Sequence, residues 1–266
     1  MTEIQALILG VVQGLTEFLP VSSSGHLVVA NYYLGWGEGL SLSVDIATNT
    51  GTLLAVLLYL RRDVLMALGG FFGGLRSAEG RTRPGWRLGL LVLAGSVPTA
   101  VIGLALSGVF ERLNTPLPVA IALAITGLIL WFAPKSGPKH TVEQVTFRDA
   151  VVGGIVQGVA VIPGISRSGS TISALLGRGL DKELAPKLSF LMYLVVSFGV
   201  ALLGIREFDG SIGLVPLLVM AAASFAVGYG ALVVVFSLLR RGRFRVFSPY
   251  LWLLSAFTIF HYLFLR

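Results

Sequence analysis

Six stretches of this chain, at roughly 41–60, 88–108, 116–134, 187–205, 213–239 and 247–265, are apolar over about the 20 residues that a helix needs to cross a bilayer core. A helix satisfies its own backbone polar groups, which a lipid interior demands of any segment inside it. Only 12% of the 266 residues are charged, against roughly 25% in soluble domains, and the mean hydropathy is +0.85. Too few charges remain to cover a water-facing surface. The expected fold class is all-α, a polytopic membrane protein in which residues 1–266 form a single membrane domain. The lack of cysteine excludes disulfides, thiolate chemistry and cysteine-held metals. Met1-Thr2-Glu3 carries no basic segment like that of a secretory signal, so the first apolar stretch is expected to stay.

Two further apolar regions are interrupted. Residues 4–34 contain Glu17, Pro20, three serines, Gly25 and His26, and residues 149–180 contain Pro163, Gly164, Arg167 and several hydroxyl residues. Backbone freed by such breaks survives at membrane depth only inside protein or beside a cavity. Both regions are therefore predicted to be re-entrant helical hairpins, added to six full spans.

The net charge of +7 would suggest nucleic acid in a soluble protein, but here the basic residues lie between apolar runs and read as orientation signals. No nucleic-acid partner is expected; the partner is the lipid bilayer. Arg61, Arg62, Arg76, Arg81, Arg83 and Arg87 fill one loop, and Lys135, Lys139 and Arg148 a second. Arg178, Lys182 and Lys187 follow the second broken region, and Arg240, Arg241, Arg243 and Arg245 fill the last loop. These are assigned to the cytoplasmic side, with Arg112, Arg206 and Arg266 opposite and Arg167 inside a hairpin. Both termini then lie outside, and the two hairpins enter from opposite faces.

The broken regions also resemble each other at an offset of 144. Gly10, Gln13 and Gly14 match Gly154, Gln157 and Gly158, and Ser22, Ser24 and Gly25 match Ser166, Ser168 and Gly169. With three spans between them, the duplication implies an inverted-topology repeat, about 1–134 and 149–266, whose broken helices meet near the midplane.

Ionisable groups within a membrane are costly and are functional candidates. Gln13 and Glu17 share a helix face at i, i+4. Beyond Pro20, Ser22-Ser23-Ser24-Gly25-His26 adds hydroxyls, free amides and an imidazole. Gly164, Ser166, Arg167, Ser168 and Thr171 have the makings of a phosphate cradle, since helix-start amides bind anions and Arg forks onto phosphate oxygens. Serine and glycine in membrane helices often serve packing alone. A repeated Ser-x-Ser-Gly break that also carries Glu, His and Arg is costly to bury for packing only. Asp45 and Asn49 sit near the outer end of the first span, where solvation explains Asp45 as well as function does. His261 reads as interfacial. The glycines of residues 69–74 lack a following Lys-Ser/Thr and are not a P-loop.

Gln13-x-x-x-Glu17 with its serine-rich, His26-ending extension, and Pro163-Gly164-x-Ser166-Arg167-Ser168-x-x-Thr171, together resemble the undecaprenyl-diphosphate phosphatases of the bacitracin-resistance type. The resemblance spans essentially the whole chain. It implies a membrane phosphatase that converts a prenyl diphosphate lipid substrate to the monophosphate carrier of cell-wall synthesis and confers bacitracin resistance. It further implies a bacterial inner-membrane location with the site on the outer, periplasmic side, and a divalent cation, Mg²⁺ or Ca²⁺. Carried over by position, Glu17, Ser23, His26 and Arg167 are catalytic, with the nucleophile left open between water, Ser23 and His26. Ser22, Ser24, Gly25, Gly164, Ser166, Ser168 and Thr171 bind substrate, and Gln13 and Glu17 lie on the metal side. Gln13 replaces a carboxylate found in many relatives, which argues against a two-carboxylate metal site. One Glu plus a diphosphate suffices for Mg²⁺.

Two other readings share these residues. An inverted repeat also suits a transporter or flippase of a phosphorylated prenyl lipid. An intramembrane serine protease is disfavoured, because residues 164–169 are not a G-x-S-x-G elbow. The sequence leaves the oligomeric state open, a homo-oligomer included.

Overall fold

The computed structural model describes residues 1–35, 42–204 and 212–265. The elements in order are α1 (Glu3–Phe18), α2 (Ser23–Leu34), α3 (Leu42–Tyr59), α4 (Arg61–Arg76), α5 (Ala78–Arg81), α6 (Pro84–Ala105), α7 (Ser107–Leu113), α8 (Pro116–Phe132), α9 (Phe147–Val159), α10 (Arg167–Gly177), α11 (Leu184–Gly204), α12 (Leu214–Arg240) and α13 (Phe247–Phe264). Each of the six apolar stretches is occupied by one long helix (α3, α6, α8, α11, α12 and α13), and the stretch 88–108 also reaches the start of α7. No strand occurs among the described residues. The chain is an all-α polytopic membrane protein.

Among the described residues, four helices are long and apolar enough to cross a membrane: Pro84–Ala105, Leu184–Leu203, Leu214–Arg240 and Phe244–Phe264. The other two expected spans, α3 and α8, are 18 and 17 residues long. Large side chains such as Phe132, Leu203, Leu214, Leu253 and Phe260 face outward. In water this would be an unusually large apolar patch; against lipid it is the solvent-facing surface.

Both interrupted regions are helix–break–helix units, and their breaks follow from local chemistry. Helix α1 opens at a Thr2–Gln5 capping box and stops at Leu19, because Pro20 disfavours the helical region for the residue before it. Ser22 has φ 72°, rare outside glycine, and caps α2 by accepting from the Gly25 amide. In the second unit α9 opens at a Thr146–Asp149 capping box. Gly164 turns the chain at φ 93°, and Ser166 caps α10 by accepting from the Gly169 amide at 3.1 Å. Matched serines thus start the matched second helices.

The packing of the two units is reciprocal. Helix α1 lies along α12 and α9 along α6. A Cβ on Gly10 would sit 2.6 Å from the Met220 carbonyl oxygen, and one on its counterpart Gly154 would sit 1.9 Å from that of Gly95. Both sites admit only glycine, because the obstacle is backbone. A Cβ on Gly25 would lie 3.0 Å from Gly164 Cα, and one on Gly169 would lie 3.1 Å from Pro20 Cβ. Positions 20 and 164 are themselves 144 apart. The two close approaches therefore join the same pair of matched positions in both directions.

Charge gathers at one end. Arg87 donates to the Val142 and Val145 carbonyls at 3.1 and 2.6 Å. Lys139 and Arg178 both pair with Asp149, and Lys187 pairs with Asp63 at 3.3 Å. His140 lies 2.9 Å from Asp181. Burial disfavours the Asp181 carboxylate, yet the Leu184 and Glu183 amides and His140 hold its pKa below the usual range. These contacts tie the starts of α4, α6, α9 and α11 to the end of α10, all from the loops the sequence assigns to one side. Arg206 and Arg266, expected opposite, lie outside the described residues. His261, read as interfacial, meets Tyr32 Oη at 3.2 Å and packs on Tyr33 and Phe257.

Candidate active site

The site is organised around one carboxylate. Glu17 lies in the last turn of α1 and is buried, with Phe18 beside it wedged edge-on against Phe190 and Tyr193 at 5.6 and 6.2 Å. That wedge fixes the end of α1, so the carboxylate points into the break. Gln13, one turn back, donates from Nε2 to Glu17 Oε2 at 2.9 Å and to Asn49 Oδ1 on α3 at 3.2 Å. Ser23, the first residue of α2, donates to Glu17 Oε2 at 2.5 Å. Arg167, the first residue of α10, pairs through Nη2 with Glu17 Oε1. The first interrupted unit thus brings Gln13 and Ser23 to the carboxylate and the second brings Arg167, and Ser23 and Arg167 are counterparts at the repeat offset.

The two helix starts converge with them. Each brings unpaired first-turn amides and a positive dipole end, an arrangement that attracts anions. Ser22 Oγ lies 3.4 Å from Ser24 Oγ, and Ser166 Oγ lies 3.3 Å from Ser168 Oγ. The Ser22 and Ser166 hydroxyls are the caps themselves, and Ser168 donates to the Leu19 carbonyl at 3.4 Å. Thr126 braces the second break from α8, donating to the Gly164 carbonyl at 2.8 Å and accepting from the Ser166 amide at 3.0 Å. Gly25 and Gly164 let the two breaks touch.

Two expected residues stand apart from the carboxylate. His26 engages Ser22 O through Nδ1 at 2.8 Å and Tyr250 Oη through Nε2 at 2.7 Å, stacked on that ring. Both its nitrogens are occupied away from Glu17 and Arg167. Thr171 is fully buried one turn beyond Arg167, and its hydroxyl has no partner among the described residues. Asp45 is exposed, and its carbonyl accepts from Asn49 at 2.8 Å.

Three participants carry no assignment from sequence. The guanidinium of Arg167 lies 4.3 Å from the centre of the buried Tyr193 ring, a cation–π contact that holds its plane. Asn49 anchors Gln13, and Gln157 lines a small cleft with Glu17, Arg167, Ser168, Ser189 and Tyr193. The signal that finds them is the repeat offset: Tyr193 is the counterpart of Asn49, and Gln157 of Gln13.

Among the described residues, no three of His, Cys, Asp and Glu gather around a metal-sized point. The oxygen donors at hand are the Glu17 carboxylate and the amide oxygens of Gln13 and Asn49. All are hard donors, too few for a complete protein cage, and they fit a cation that takes its remaining ligands from substrate phosphates.

A family model described as "Bacitracin resistance protein BacA" matches residues 6–257. The chain belongs to that family. Among BacA-family relatives, the undecaprenyl-diphosphatase of Acaryochloris marina is 62% identical over 260 residues, covering 97% of this chain and 98% of the relative. Those of Carboxydothermus hydrogenoformans and Desulfosudis oleivorans are 43% and 42% identical, over 96% and 97% of this chain and 96% and 98% of their own lengths. In this BacA-family chain the residues that meet at Glu17 come from both interrupted units, so neither unit alone would make the site.

Proposed function

We propose that the protein hydrolyses undecaprenyl diphosphate to undecaprenyl phosphate and inorganic phosphate, recycling the lipid carrier of cell-wall synthesis and thereby conferring bacitracin resistance. The observation that carries this is the meeting of Arg167, Ser23 and two helix starts on the Glu17 carboxylate, in a chain whose full-length relatives are named for that activity. Phosphoryl transfer is mainly positioning and charge stabilisation. Arg167 and the amides at the starts of α2 and α10, with Ser22, Ser24, Gly25, Gly164, Ser166, Ser168 and Thr171 shaping the breaks, would hold the terminal phosphate. Glu17 accepts the proton. Ser23 and Gln13, both bonded to Glu17, keep its oxygens aimed. His26, held between Ser22 and Tyr250, borders the site from the α13 side. A divalent cation, Mg²⁺ or Ca²⁺, would be held by Glu17 and the Gln13 carbonyl together with substrate, and would offset phosphate charge.

The experiment is phosphate release from farnesyl diphosphate by purified protein in detergent with Mg²⁺. One phosphate should appear per diphosphate consumed, in a setting where no transport is possible. Metal-independent binding without release would instead support a transporter or flippase of the same lipid.

The site is proposed to face the outer side of the bacterial inner membrane, with the prenyl tail remaining in hydrocarbon. Basic residues gather at the end formed by the loops around Arg87, Lys139 and Lys187, and such residues mark the cytoplasmic side. Removing a prenyl tail from lipid costs about 0.8 kcal/mol per CH₂, so the diphosphate must reach the site while the tail stays embedded. Cysteines placed at Ser24 or Asn31 should react with a membrane-impermeant thiol reagent added outside whole cells. Labelling only from the cytoplasmic face would reverse the assignment.

A further inference from the structure

Gln157 lies near the end of α9 and is 1% exposed. Its Nε2 is 3.4 Å from Thr99 Oγ1 on α6. Thr99 has one hydroxyl hydrogen, and that hydrogen faces the carbonyls of Gly95 and Gly154, each at 2.9 Å. Toward Gln157, Thr99 can therefore only accept. This fixes the amide with its nitrogen toward α6 and leaves the oxygen for other company. That oxygen is buried and has no partner among the described residues. A buried acceptor left so is uncommon and calls for a donor from outside the chain.

Gln157 lines the cleft shared by Glu17 and Arg167, whose enclosed space is about that of one water molecule. The chemistry of the walls narrows the occupant. Two acceptors repel an anion, and the Arg167 guanidinium on Glu17 Oε1 disfavours a cation on this side, so the divalent cation proposed above would sit on the Gln13 side of the carboxylate. Glu17 already accepts from Gln13, Ser23 and Arg167, which leaves about one of its four lone-pair sites. A water that donates one hydrogen there and the other to Gln157 Oε1 has its own lone pair free.

We propose that Gln157 is a catalytic residue that holds the attacking water. The inference rests on the phosphatase reading and assigns the nucleophile that the sequence leaves open. The water oxygen forms a bond to the terminal phosphorus as the bond from that phosphorus to the bridging oxygen breaks. The electron pair of the broken bond leaves on the prenyl monophosphate. Glu17 takes one water proton, and the other stays on the released phosphate, hydrogen-bonded to Gln157 Oε1 as the bond forms.

The test uses Gln157→Met, which keeps length without the acceptor, and Thr99→Val, which keeps Gln157 but frees its amide to rotate. Turnover of farnesyl diphosphate and thermal unfolding in detergent are measured for both. Misplacing a reacting group by about an ångström costs roughly a hundredfold, so kcat of Gln157→Met should fall about ten- to a hundredfold with KM within twofold. Thr99→Val should fall less, also in kcat. A structural role would lower the unfolding temperature without this split, and a substrate-binding role would raise KM. Either result, or wild-type kcat in a folded Gln157→Met protein, overturns the proposal. If Gln157→Met does not fold, Thr99→Val decides: unchanged kcat overturns, and a kcat loss at constant KM supports. Absence of phosphate release by the wild type would instead sink the phosphatase reading itself.

Discussion

Glu17→Gln should lower phosphate release by roughly 10²- to 10⁴-fold, the usual contribution of a positioned general base, while the protein still folds. The amide is isosteric and keeps one oxygen for Ser23 or Gln13, but it cannot take a proton at neutral pH. It also presents an NH₂ where the carboxylate now receives donors, so one of the contacts from Gln13, Ser23 and Arg167 must be lost. Stripping a buried cation of its partner costs about 3–5 kcal/mol in a dry interior. The Arg167 side chain is 28% exposed, so part of that cost is recovered by hydration and the folding penalty should be smaller. The checking measurement is kcat for farnesyl diphosphate beside thermal unfolding in detergent. Turnover within about threefold of wild type would reduce Glu17 to a counter-ion for Arg167. Folded protein without turnover is the expected result.

The sequence announced the helices and hid the shape of the site. Spans such as α12 were legible because lipid imposes a length and a composition that few other environments tolerate. Both breaks were legible because Pro20, Gly164 and the serine caps carry conformational rules that hold whatever surrounds them. The pairing of Glu17 with Arg167 was legible only as a costly coincidence of two ionisable residues in apolar surroundings. What failed to show was which polar side chains face the carboxylate. Tyr193 sits in an apolar run and looks like core; only its approach to Arg167 gives it a role. His26 looked like a base, yet a tyrosine 224 residues away takes its second nitrogen. Such contacts are set by helix rotation, which neither hydropathy nor motif spacing fixes. The repeat offset was the one available guide, since it pairs Asn49 with Tyr193 and Gln13 with Gln157 and so points to side chains on equivalent faces.

Arg167→Lys should be nearly as damaging as Arg167→Ala, and this comparison separates a clamp from a counter-ion. The lysine keeps the charge that Glu17 requires. It loses the planar fork that can hold two phosphate oxygens at once, and it loses the flat face now resting on the Tyr193 ring. A single guanidinium cannot give its full fork to Glu17 and to phosphate at the same edge. In the resting protein Nη2 serves Glu17, and the other donors remain for the substrate. An ammonium, with its three donors at one point, cannot divide itself across that span. Charge-assisted hydrogen bonds contribute roughly 1.5–3 kcal/mol each, and losing one in the transition state slows turnover by about ten- to a hundredfold. Arg167→Ala adds the loss of charge and should fall at least as far. Phosphate release and unfolding temperature, taken for both variants at matched metal, give the answer. If Arg167 only neutralises Glu17, the lysine variant will recover activity and stability together. If it grips phosphate, the lysine variant will unfold near the wild-type temperature and still turn over slowly, because its charge satisfies the fold while its geometry does not satisfy the reaction.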